Sequence, residues 1–423
     1  MHYRRFGRTE LNLPVFSTGG MRYQDGWKDK PLDEIDDAIK DNLSATIQRS
    51  FDVGIHHVET ARGYGPSERQ LGTVLPNYPR DSFLIQTKIG PTESPDEFTA
   101  FFHESLERLR LDRVDLLALH GVHDDTTYAN AFGQDGKSGC LAAARRLQEQ
   151  GLVGHVGFST HGPVDELLRA IRAPGPDPLP DAPLDLRGNP PRGFDYINLH
   201  WYFIYQRNWP AIVEARRRDM GVFLISPTDK GGHLHTPTDK LIECCDPLHP
   251  IVFNDLWCLR RGEVHTLSLG ASKPSDYDLH VEAADRLHHP ETPSLVRRIE
   301  SRLRDAMADA TGHPDPEHLV FDLPDHRAAP GGLNVPLILW LRNLSLGWGM
   351  TPYAKARFNL MGTAGPWFPG SKVMESFDEV DKDALAAACD VGAWEGRGRE
   401  VVDLVADAID RLGDAEVKRL SQS

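Results

Sequence analysis

Hydrophobic positions along this chain switch between two periods. Short apolar runs alternate with longer segments whose apolar residues return every three or four positions. The runs LPVFSTGGM (13–21), 56–59, 83–87, 114–119, 153–158, FDYINLHWYF (194–203), GVFLISP (221–227) and EVHTLSLGAS (263–272) read as strands. The segments 42–53, 67–75, 95–109, 139–150, 163–171, 207–218, 246–260 and 275–287 read as helices. Residues 2–13, with the turn formers Gly7 and Asn12, predict a hairpin ahead of the first strand. Eight strands alternating with helices predict an α/β protein, a closed parallel (β/α)8 TIM barrel whose floor the hairpin covers.

Three polar connections interrupt the alternation, at 22–40, 121–138 and 172–194. The last is dense in proline and glycine, which reads as an extended insertion. Connections this long at the top of a barrel shape a pocket. After residue 290 the alternation stops. SLVRRIESRLRDAMADATG, VPLILWLRNLSLGWG and VVDLVADAIDRLGDAEVKRL are its clearest helical runs. The expected division is therefore a barrel over 1–289 and a mostly helical C-terminal region over 290–423, consistent with a 423-residue chain that exceeds the ~250 residues of a standard barrel.

A net charge of −15 and an acidic pI disfavour nucleic acid and anionic membranes as partners. No apolar run reaches the ~20 residues of a membrane helix, and the N-terminus lacks the apolar core of a secretion signal, so the cytoplasm is the expected location. The five cysteines, Cys140, Cys244, Cys245, Cys258 and Cys389, form no Cys-x-x-Cys pair and read as reduced thiols. Cys244, Cys245, His233, His235 and His249 match no familiar zinc spacing, so no metal site is expected.

Four chemically active residues fall just past predicted strand ends. Glu59 and Tyr64 lie in ETARGYGPSERQLG, Lys88 ends FLIQTKIG, and His120 lies in VDLLALHGVH. The carboxyl ends of barrel strands are where this architecture carries its chemistry. A phenol titrates near ~10 and gives up a proton at neutral pH only when a neighbouring cation stabilises the phenolate. Lys88 is the candidate cation, Glu59 holds it, and His120 is a hydrogen-bond partner for a carbonyl oxygen. Each residue alone has a plainer reading as a packed or solvated side chain; the four together do not.

ETARGYGPSERQLG, IQTKIG, LLALHG, HVGFST and LSLGASKPSDYDLHV, in this order over residues 1–289, resemble the aldo-keto reductases. The resemblance implies a nicotinamide-dependent oxidoreductase interconverting a carbonyl and an alcohol. It assigns Tyr64 as proton donor, Lys88 as its electrostatic partner and His120 as the group orienting the carbonyl. The family usually has aspartate where this chain has Glu59. For the cofactor it implies Ser159, Thr160 and Asn198 at the carboxamide, with Asn198 standing where glutamine is common, and Trp201 near the ring. Ser226, Lys230 and Gly231 follow the seventh strand, where glycine lets backbone approach phosphate. Gly270, Ser272 and Lys273 lead into a helix N-terminus suited to an anion. Asp276 and His280 stand where the family often has a basic residue and an asparagine. NADP(H) is expected ahead of NAD(H) on family habit alone, because Asp276 would repel a 2′-phosphate unless Lys273 compensates.

Some long members of the family end in a ferredoxin-like helical module carrying two cysteine-rich cluster motifs. GGLNVPLILWLRNLSLGWG followed by YAKARFNLMG resembles its scaffold, but PDHRAAPGGLNVP and GTAGPWFPGSK contain no cysteine. Thiolates hold iron–sulfur clusters, so this degenerate module is expected to bind none. Two further functions are compatible with the sequence: a non-catalytic cofactor- or ligand-binding barrel, motivated by Glu59, Asn198 and Asp276, and an isomerase or epimerase that retains bound nicotinamide. The expected substrate is a small carbonyl or alcohol; Trp27, His123, Asp124 and Asp125 in polar loops allow a sugar-like one.

Overall fold

The structure, a computed structural model, describes residues 1–136, 138–173, 193–363 and 365–413. Most of the proline-rich insertion expected at 172–194, and the end of the last helical run expected at 401–420, lie outside the described residues.

Eight parallel strands close into a barrel in chain order. They are β1 (Phe16–Gly19), β2 (His57–Glu59), β3 (Leu84–Ile89), β4 (Val114–His120), β5 (Val153–Ser159), β6 (Tyr196–Leu199), β7 (Gly221–Ile225) and β8 (Thr266–Leu269). The last pairs with the first through Leu267↔Phe16 and Leu269↔Thr18. The expected (β/α)8 barrel is the observed fold. Ahead of it Tyr3–Arg5 and Asn12–Pro14 pair antiparallel as the expected hairpin. Between them Phe6 enters the floor and packs with Leu13, Leu116, Ala118, Tyr196 and Phe223, all fully buried. Burial of one such side chain stabilises by ~1.5–3 kcal/mol. Gly221 makes room for Phe6, since a Cβ there would come within 2.6 Å of the ring.

The helices follow from local chemistry. Ser94 caps Pro95–Leu109 by accepting from the Glu97 N–H, proline takes the first helical position, and Arg110 ends the helix in a left-handed conformation. Two expectations shift. The first helix spans Asp37–Asp52 rather than starting at 42, because Asp36 caps it by accepting from the Ala38 N–H. The connection 121–138 contains a further helix, Asp125–Phe132, held by a reciprocal cap between Asp124 and Thr127.

Two compact units divide the chain. One comprises Met1–Phe203, Arg207–Gly231 and Asn254–His289; the other comprises Ile204–Gln206, Gly232–Phe253 and the chain from Pro290 on. Two segments that precede residue 289 thus belong with the C-terminal region. In that second unit, Val335–Trp348 is a strongly apolar helix, capped by Asn334 and closed by Gly349. Its indoles are tied down, Trp340 donating to the Ile204 carbonyl at 2.7 Å and Trp348 to the Leu303 carbonyl at 2.7 Å. Among the described residues no helix is long and apolar enough to cross a membrane, and no group of three or more His, Cys, Asp or Glu side chains is placed to hold a metal ion. All five cysteines are buried and unpaired with one another.

Candidate active site

Barrel register brings the strand-end residues together. Glu59 ends β2 opposite Gly19 of β1, Lys88 lies near the end of β3, and His120, Ser159 and Asn198 share one rung across β4, β5 and β6. Lys88 and Glu59 are buried, at 1% and 4% exposure, and form an ion pair inside the mouth. The Lys88 ammonium also donates to the Thr60 carbonyl at 2.9 Å and to the Tyr64 hydroxyl at 3.4 Å. Ser268 on β8 donates to the second Glu59 oxygen at 2.7 Å. Both carboxylate oxygens therefore have partners, and the ammonium faces the phenol from a fixed position.

Tyr64 sits on a turn that needs its glycine. Gly65 has φ +50°, and a side chain there would collide with the Gly26 carbonyl of the first connection. That connection is held down by Asp29, which accepts from Arg69 at 2.8 Å and pairs with Arg108 at 2.8 Å. It brings Trp27 edge-on to the Tyr64 ring, centroids 6.3 Å apart. The His120 ring meets the same phenol edge-on at 5.6 Å. Tyr64 and His120 are half-buried, so both stay accessible from the mouth.

Electrostatics follow from this packing. Burial pushes the Tyr64 phenol above its ordinary value, and the Lys88 ammonium pulls it part of the way back. Burial alone would lower Lys88; Glu59 and the Tyr64 hydroxyl outweigh it and hold the ammonium charged. Burial, then the Lys88 and Lys230 charges, lower His120 to about 3, so its imidazole is neutral at physiological pH. The pH dependence of stability follows. Unfolded histidine takes up a proton near 6.5, which folded His120 refuses until about 3, so this contribution is present above 6.5 and lost as pH falls towards 3. In denaturant titrations between pH 4 and 6, His120→Asn is expected to reduce the fall in stability by up to about 1.4 kcal/mol per pH unit relative to the unaltered protein. Parallel curves for the two proteins would refute this.

The residues expected to hold a cofactor divide into groups. Ser159, Thr160 and Asn198 lie beside His120. The Thr160 hydroxyl accepts from the Gly162 N–H at 3.0 Å. Asn198 is fully buried, yet its amide oxygen and nitrogen both lack a protein partner. A buried unpaired amide is costly, and a ligand carboxamide offers the complementary donor and acceptor. Ser226 and Gly231 shape the turn after β7, where a side chain on Gly231 would strike the Pro227 carbonyl. From this turn Lys230 reaches His161 at 3.5 Å and His200 at 3.4 Å. Gly270, Ser272 and Lys273 form the turn after β8, with Ser272 bonded to Asp276 at 2.8 Å.

Two of the expected residues lie in other surroundings. Trp201 is buried and stacks on Trp257, centroids 4.4 Å apart, with Trp209 at 5.1 Å. His280 is buried and bonded through Nδ1 to Asp255 at 2.5 Å. Three residues at the mouth were not singled out from sequence. Ser268 reaches Glu59 from β8. His161, directly after HVGFST, stacks on His200 at 4.8 Å and bonds to it at 2.6 Å. Arg22, after the paired glycines of β1, lies against Gly270, whose added Cβ would meet Arg22 Cδ at 2.8 Å.

Residues 16–179 match the Aldo/keto reductase family. Over these residues the barrel is similar to that family. Among curated proteins the chain is similar to a D-threo-aldose 1-dehydrogenase from Pseudomonas sp., 32% identical over an alignment of 166 residues, with 31% of this chain and 47% of that protein covered. It is similar also to an L-galactose dehydrogenase from Arabidopsis thaliana, 28% identical over 164 residues, 36% of this chain and 49% of that one. The chain thus spans about half the length of these relatives. Of solved structures, the holo form of an aldo-keto reductase from Bacillus halodurans superposes with a TM-score of 0.56 at 18% identity, over 71% of this chain and 96% of that one. A thermostable aldo-keto reductase bound to the inhibitor epalrestat gives 0.53 at 16% identity, over 71% and 100%. At these identities the aldo-keto reductase structures establish the shared fold.

Proposed function

We propose that this chain is a nicotinamide-dependent oxidoreductase that interconverts a carbonyl and an alcohol, with Tyr64 as general acid in one direction and general base in the other. The observation that carries the reading is the Lys88 ammonium, fixed by Glu59 and within 3.4 Å of the Tyr64 hydroxyl. When bound, the nicotinamide supplies or accepts the hydride. Everything else is the work of this chain. Tyr64 gives its proton to the carbonyl oxygen, and Lys88 stabilises the phenolate left behind. The neutral His120 imidazole donates one hydrogen bond to the same oxygen and orients it. The unpaired Asn198 amide, with Ser159 and Thr160, is suited to hold the carboxamide. Arg22, Ser226, Lys230 and Gly231 are the candidates for the diphosphate.

Glu59 in place of the usual aspartate keeps the charge and adds a methylene. Its two partnered oxygens support a working ion pair rather than a relic. A sugar-like substrate draws support from Trp27 beside Tyr64, and from relatives named as aldose and galactose dehydrogenases. The helices after residue 290 we read as a ferredoxin-like scaffold without the thiolates a cluster requires. The decisive assay follows dihydronicotinamide absorbance with aldoses, polyols and simple aldehydes, alongside calorimetric binding of the dinucleotide. Turnover of at least one of these substrates is expected. Tight cofactor binding with no turnover across the panel would favour a non-catalytic binding barrel instead.

A further inference from the structure

We infer that Asp276 closes the turn after β8 to a 2′-phosphate, so that this chain takes NAD(H) and discriminates against NADP(H). The inference rests on the reading above that a nicotinamide dinucleotide binds at the mouth, and it reverses the order that family habit suggests.

The turn Gly270–Lys273 runs into a 3-10 turn, Pro274–Tyr277, and then the helix Asp278–Arg286. Backbone N–H groups at such a start are ordinarily available to an anion. Here a carboxylate from the chain itself has taken one N–H of the turn that leads into it, that of Ser272. The Ser272 N–H donates to Asp276 Oδ2 at 2.8 Å, and the Ser272 hydroxyl donates to the same oxygen at 2.8 Å. The Asp276 N–H in turn donates to the Lys273 carbonyl at 3.1 Å, closing the turn on itself. From the other side Asn42 Nδ2 donates to the Ser272 carbonyl at 2.7 Å and fixes the peptide. A backbone amide and a hydroxyl converging on one point are the donors a phosphate oxygen would use, and a carboxylate oxygen occupies that point.

A 2′-phosphate entering this turn would have to displace the carboxylate from both donors and then remain beside its charge. Lys273 is exposed, and a solvated ammonium offsets little of that repulsion. A ribose 2′-hydroxyl meets the opposite situation. It is a donor, and an acidic side chain is what NAD-preferring dinucleotide sites present to it. The same residue therefore opposes one cofactor and suits the other.

The test is equilibrium binding of NADH, NADPH, 5′-ADP and 2′,5′-ADP to the full chain and to its Asp276→Asn and Asp276→Ser variants, read by fluorescence and calorimetry with thermal melts as a folding control. Asp276→Asn keeps an acceptor oxygen for Ser272 and preserves the turn; Asp276→Ser vacates it. The unaltered chain is expected to bind NADH tighter than NADPH by on the order of a hundredfold. Both variants should tighten NADPH by about tenfold or more while NADH weakens by severalfold, as the ribose 2′-hydroxyl loses its carboxylate partner, and the two adenine nucleotides should show the same pattern. Equal or better binding of NADPH by the unaltered chain would overturn the inference. So would variants that melt normally yet gain nothing for NADPH. Binding of no nucleotide by any of the proteins would instead overturn the dinucleotide reading, and the inference with it.

Discussion

Tyr64→Phe is expected to lower kcat by on the order of a thousandfold while leaving dinucleotide affinity within about twofold. The substitution removes one oxygen and little else. The ring keeps its edge contacts with Trp27 and His120, and the turn through Gly65 is unaffected. Lys88 loses a partner at 3.4 Å but retains Glu59 and the Thr60 carbonyl, so the barrel mouth should remain folded. What disappears is the proton. Steady-state rates in both directions, with cofactor titrations on the same preparations, check this. Undiminished turnover would refute the assignment, because among the described residues Tyr64 is the phenol bonded to the Lys88 ammonium. The pH profile separates acid from base: reduction needs the protonated phenol, which burial keeps protonated through neutrality, so its rate should be flat there, while oxidation should rise with pH.

How much of this was legible beforehand depends on sequence separation. Strand ends and helix periodicity are local, so Pro95–Leu109 was expected from its periodicity with the bounds it has. Residues 37–41 are polar and read as loop; the Asp36 cap makes them the first turn of a helix. The pairing of Lys88 with Glu59 follows from two neighbouring strand ends and was anticipated. Ser268 reaches Glu59 from 209 residues away, a contact created by closure of β8 onto β1, and no pattern within either strand announces it. Trp201 shows the reverse case. Its position after β6 suggested a cofactor face, but an indole also packs well against indoles, and Trp257 and Trp209 lie beside it. Charge is similarly ambiguous. Asp276 reads from sequence as a residue repelling a phosphate across space, whereas in the structure its carboxylate accepts from the Ser272 N–H and hydroxyl.

Lys88→Met should cost about 3–5 kcal/mol of stability, the range for a buried ion pair that loses one partner. Glu59 is 4% exposed, and in this variant its hydrogen bond from Ser268 would remain with no cation beside it among the described partners. A fall in Tm of about 10 °C is the expected signature. Activity should be lost as well, but a destabilised protein proves nothing about chemistry. The Lys88→Met, Glu59→Gln double variant resolves this. It buries no unpaired charge, so it should recover much of the stability, since replacing both partners of a buried pair is often nearly neutral. Its activity should nevertheless stay close to that of Tyr64→Phe, because a phenol with no cation beside it lacks the group that stabilises phenolate. Recovery of both stability and turnover in the double variant would mean that Lys88 only balances the charge of Glu59. Recovery of stability without turnover would assign the ammonium to the proton transfer itself.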